Sequence, residues 1–189
     1  QYDSINQLTQ VVTGQYSNHH PIYHTLWLTL GAKLAEILGG DLTLGVFFFT
    51  VMQVLVFSYM VFYLLKTLQQ IGIRQRYLGI ILGYFLVFPY HLFFAAYVNK
   101  DTLFTCCGVI FVVSFYRLSC AHFAGSKRAD VWHMLIGGLG LALLRSNGLV
   151  AIGILFFIFL LGHKKDGESI RLAVMGCVVA ISVVLVAGL

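Results

Sequence analysis

The sequence predicts an all-α fold, a polytopic bundle of transmembrane helices with an interfacial or re-entrant helix near the N-terminus. Two observations carry this. Hydrophobic residues fill 59% of the 189 positions and charged residues only 10%, against about 25% charged in an average soluble domain. Mean hydropathy is +0.88, and the apolar residues gather in runs long enough to cross a bilayer core of about 30 Å. This composition excludes disorder, a secreted disulfide scaffold and an ordinary soluble enzyme. Aromatic residues, at 15%, suit lipid-facing and interfacial surfaces. The net charge of +5 is an orientation signal rather than a nucleic-acid footprint. The expected surroundings are therefore a lipid bilayer, with no nucleic acid.

Residues 1–41 are read as an external loop and an interfacial helix. Residues 1–20 are polar, and Ile22–Leu38 is moderately apolar but carries His24, Lys33 and Glu36, too polar for a simple span. The clearest span is 42–65, about 36 Å of helix. Residues 77–97 form the second, with Pro89 late in it, and 102–118 the third. The stretch 131–161 is interrupted by Arg145-Ser146-Asn147-Gly148. It is either one long broken helix or two short ones, 131–144 and 148–162, each about 21 Å. Residues 170–189 form the last span. All of 1–189 is read as one transmembrane domain, and as part of a longer protein. Residue 1 is Gln and Leu189 still lies in an apolar run, so a helix before Gln1 is expected.

Loop charges choose between the readings of 131–161. With 42–65 running inward, Lys66, Arg74 and Arg76 are cytoplasmic, and so are Arg117, Lys127 and Arg128. A hairpin returns Lys164, Lys165 and Arg171 to that side, leaving only Lys33, Lys100 and Arg145 of the 12 basic residues outside. The positive-inside rule favours the hairpin. The four cysteines, Cys106, Cys107, Cys120 and Cys177, form no C-x-x-C pair and read as thiols within membrane helices.

This orientation brings Asp3, His19-His20-Pro21, Asn99-Lys100-Asp101 and Arg145-Ser146-Asn147 to the external side from four separate segments. Polar groups gathered at one membrane face suggest a site. Asp3 is either a general base or metal ligand, or a capping or solvated loop carboxylate. His20 and His24, four apart, share a face if the helix starting near Pro21 includes both. They can donate to a phosphate or pack at the interface; zinc lacks a clear third ligand. Lys100 and Asp101 stand at a helix start. They act on an anionic group and as a second acid, or else snorkel and cap. Arg145 sits between Leu143-Leu144 and Gly148-Leu149-Val150. There it is costly unless it meets an anion or water, and its guanidinium suits bidentate phosphate binding; a snorkelling Arg at a hairpin tip is the alternative.

In this order the motifs resemble the membrane-embedded GT-C glycosyltransferases, which include protein O-mannosyltransferases and lipid A aminoarabinose transferases. The resemblance covers roughly residues 1–161. It rests on Asp3 in the first loop, on Gly14 with Asn18-His19-His20-Pro21-Ile22-Tyr23-His24, on Lys100-Asp101-Thr102-Leu103-Phe104, and on Leu144-Arg145-Ser146-Asn147-Gly148. The combination looks like a bacterial branch of that superfamily, in the plasma membrane with its active site on the external face. What it implies is transfer of a sugar from a polyprenyl-phosphate-linked donor to an acceptor the sequence does not identify. Asp3 and Asp101 would be the catalytic carboxylates, the resemblance allowing a divalent metal between them. His20, His24, Lys100 and Arg145 would bind the lipid phosphate. The chain departs from many relatives in having a lone Asp in the first-loop motif and histidines before Pro21.

Two other readings compete. A transporter or flippase component would use Pro89 and Gly148 as helix breaks, but needs polar groups near the midplane, where 42–65 offers only Gln53 and Ser58. A non-catalytic assembly subunit predicts that Asp3, Lys100, Asp101 and Arg145 do not converge.

Overall fold

The computed structural model describes residues 22–120, 123, 127–145, 148, 150, 152 and 153, together with positions 9, 11 and 13. Among these every regular element is helical: α1 (Ile22–Ile37), α2 (Leu42–Gln70), α3 (Gln75–Val87), α4 (Pro89–Ala96), α5 (Lys100–Ser119) and α6 (Lys127–Leu144). Helices α2 and α5 are each long and apolar enough to cross a membrane, and α3 with α4 forms a third candidate, bent by 58°. The expected span at 42–65 extends to Gln70, and the helix expected at 131–144 begins at Lys127. Of 148–162 only four positions are described, and 170–189 lies outside the described residues.

The helix ends follow from local chemistry. Helix α1 stops at Gly39, whose φ of +71° no β-carbon favours. Its N–H donates to Glu36 O and that of Gly40 to Ala35 O, at 3.0 and 2.8 Å. This is the paired Schellman arrangement, which satisfies orphan carbonyls. Asp41 then caps α2, its carboxylate accepting from the Leu44 N–H at 3.1 Å and the Thr43 hydroxyl at 3.2 Å. These bonds hold the Asp41 carboxyl below its usual range. Gly72, at φ +97°, ends α2 the same way, with Gly72 N–H on Gln69 O and Ile73 N–H on Leu68 O. Pro89 explains the bend between α3 and α4. It has no N–H to continue the ladder, and it drives Phe88 to extended backbone, φ −72° and ψ 111°. The proline then starts α4, where a missing N–H costs nothing.

The chain divides into two compact units, Gln1–Leu103 and Phe104–Leu189, with the boundary inside α5. In the first, α2 is the axis, touching α1, α3 and α4. Helices α1 and α2 approach until backbone meets backbone. A β-carbon on Gly31 would stand 2.6 Å from the Gly45 carbonyl oxygen, and one on Gly45 2.9 Å from Ala32 Cα. Leu28, Ala35 and Phe49 are buried on this unit's helices, while Lys33 and Glu36 remain exposed on α1. Helix α1, with 16 residues, is not one of the helices long and apolar enough to cross a membrane.

In the second unit α5 and α6 cross at Gly137, whose added β-carbon would lie 2.9 Å from both Cys107 O and Phe111 N. Phe111, Met134, Leu141, Ala142 and Ile152 form the core, with Phe104 and Phe115 packed against it. Arg117, expected as a loop charge, is instead buried. Its Nε donates to Asp130 Oδ1 at 2.8 Å, and its guanidinium lies 4.5 Å from the Phe123 ring centroid. Cys106, Cys107 and Cys120 are free thiols.

Candidate functional site

The first unit gathers polar groups where α4 ends and α5 begins. Helix α4 has only eight residues, and its last carbonyls have no partner of their own. They find donors from other helices. Gln53, in the middle of α2 and 1% exposed, aims its side-chain Nε2 at three of them: Phe94 O at 3.1 Å, Ala95 O at 3.0 Å and Tyr97 O at 2.7 Å. The amide has two hydrogens for three acceptors, so one bond is shared. The Thr102 hydroxyl donates to Phe94 O at 2.8 Å from the first turn of α5. Asn99 opens α5, its Oδ1 accepting the Asp101 N–H at 3.0 Å. The cap is thus Asn99 rather than Asp101. An acid in the first turn also suits the positive end of the helix dipole.

His24 comes to this place from α1. It is fully buried, and its ring meets Phe49 edge-on with centroids 5.2 Å apart. Burial is the main force on its ionisation and pulls its pKa down to about 4; the nearby Lys100 charge adds to this and Asp101 opposes it. His24 is therefore a neutral imidazole at pH 7, able to give one N–H and accept at its other nitrogen. Of the residues singled out by sequence, Lys100 and Asp101 both lie near enough to act on the ionisation of His24. Both charged partners are half-buried.

Asp3 and His20 lie outside the described residues. Arg145 belongs to the second unit, exposed just after α6, with its guanidinium 5.8 Å from the Phe104 ring centroid. Among the described residues no group of three His, Cys, Asp or Glu side chains could hold a metal ion. The arrangement can bind an anion through Lys100, fix its orientation with a neutral imidazole, and keep one carboxylate for a proton.

Gln53 carries no motif, and Thr102 stands in the Lys100-Asp101-Thr102-Leu103-Phe104 motif without an assigned role; neither was expected at the site. The available signal was a lone amide amid apolar residues in a span, where an unpartnered polar group is costly.

No curated protein and no solved structure matches the chain. A family match covers almost all of it, residues 11–189, and the chain belongs to that family, the family of unknown function DUF6020.

Proposed function

We propose that the chain is the membrane-embedded part of a glycosyltransferase, moving a sugar from a polyprenyl-phosphate-linked donor to an acceptor at the external membrane face. The observation that supports it is that the charges of Lys100 and Asp101, at the start of α5, lie near enough to His24 to act on its ionisation. Lys100 neutralises the donor phosphate, and neutral His24 donates a hydrogen bond to it. The acceptor heteroatom attacks the anomeric carbon as the bond from that carbon to the phosphate oxygen breaks. The phosphate leaves with the electron pair, and attack from the opposite face inverts the anomeric centre. The GT-C resemblance implies the remaining roles: Asp3 takes the acceptor proton, Asp101 is the second carboxylate and Arg145 is a phosphate-binding cation. No step is assigned to a metal.

The test is binding of a long-chain polyprenyl monophosphate to the full chain in lipid nanodiscs. Lys100→Met should weaken binding at least about ten-fold, the scale of one charge-assisted contact. Lys33→Met, on the exposed face of α1, should not. Absence of saturable binding, or equal binding by Lys100→Met, refutes the reading.

The broken α3–α4 span favours a second reading, a transporter component, because half-helix ends at mid-membrane often frame substrate paths. Movement of a labelled lipid phosphate between leaflets, with no sugar transferred, would select it.

A further inference from the structure

The proposed chemistry makes no use of Gln53. We propose that Gln53 is a positioning residue: its side-chain amide holds the turn after α4 and so sets where Lys100 and Asp101 stand relative to His24. The assignment needs these three residues to form one site, but not any particular ligand for it.

The geometry is specific. Gln53 Nε2 reaches the carbonyls of Phe94, Ala95 and Tyr97, and Tyr97 is three residues from Lys100. Thr102 ties the far side of the same turn back to Phe94 O. Residues 97–101 are thereby pinned at both ends, once from α2 and once from α5. The amide cannot be reversed, because Oε1 would then face three carbonyl oxygens. In its present orientation Oε1 is buried without a hydrogen-bond partner among the described residues, so the amide is not placed to satisfy itself. It is placed by the demand of the α4 end, whose last carbonyls have no partner within their own helix. Helix α2 also carries Phe49, one turn before Gln53, against the His24 ring. One helix therefore holds both halves of the site, His24 through Phe49 and the Lys100 turn through Gln53.

The experiment measures local opening in the full chain, in lipid nanodiscs, with the native cysteines replaced. A Val98→Cys reporter follows the pinned turn, and an Ile73→Cys reporter the linker between α2 and α3. Gln53→Met keeps the volume but has no donors. Gln53→Glu keeps the shape and, ionised, turns two N–H donors into an oxygen that the carbonyls repel. Both variants should raise maleimide labelling at the Val98→Cys reporter about ten-fold, with the Ile73→Cys reporter unchanged. If Gln53→Met leaves the first rate unchanged, or both reporters rise together, Gln53 only supports the fold and the assignment is overturned. Because no ligand is present, this result is independent of the polyprenyl-phosphate binding test.

Discussion

His24 ties the site to a stability measurement with a definite sign. An exposed histidine titrates near 6.5, whereas burial beside Lys100 holds His24 at about 4, against the pull of Asp101. Between these values the unfolded chain takes up a proton that the folded chain refuses. Stability attributable to His24 is therefore constant above pH 6.5, falls as pH drops towards 4, and is constant again below. The gap of about 2.5 pH units corresponds to roughly 3 kcal/mol. The assay is chemical or thermal unfolding of the full chain in nanodiscs from pH 7.5 to 4.5, beside His24→Gln, which does not titrate. Carboxylates such as Asp41 titrate in both proteins and cancel in the difference. The wild type should lose about 2 kcal/mol or more relative to the variant by pH 4.5. A flat difference curve would mean that His24 takes up its proton as readily in the folded chain as in the unfolded one, and would refute the burial assigned to it.

Two further substitutions probe the packing that carries the site. Gly45→Ala drives a β-carbon into the Ala32 backbone, which cannot yield as a side chain can. It should cost about 1–3 kcal/mol in unfolding assays, whereas Gly79→Ala, with open space around it, should be neutral or stabilising. In the second unit, Arg117→Met strands the buried Asp130 carboxylate and should cost about 3–5 kcal/mol, while Arg117→Met with Asp130→Leu should recover most of that loss. A single variant as stable as the wild type would show that water reaches the pair.

The sequence by itself determined the helical class, two spans to within a few residues, and the punctuation between helices. Those features depend on near neighbours. Gly39 and Gly72 supply the left-handed backbone that closes a helix, Asp41 caps the one that follows, and Pro89 removes an N–H wherever it is placed. The helix start at Lys100 and Asp101 was also legible. The bend of the second span was only half legible: Pro89 marked the break, but packing around α2 set its 58°. Tertiary structure alone decided the rest. Gln53 bonds carbonyls 41 to 44 residues away, a choice made by which helix end lies beside α2. Arg117 reads as a loop cation until α6 supplies Asp130. His24 looks like any interfacial histidine until burial against Phe49 neutralises it. A residue's charge state and hydrogen-bond partner depend on the water removed and the groups brought near it, and both are set by contacts between helices distant in the chain.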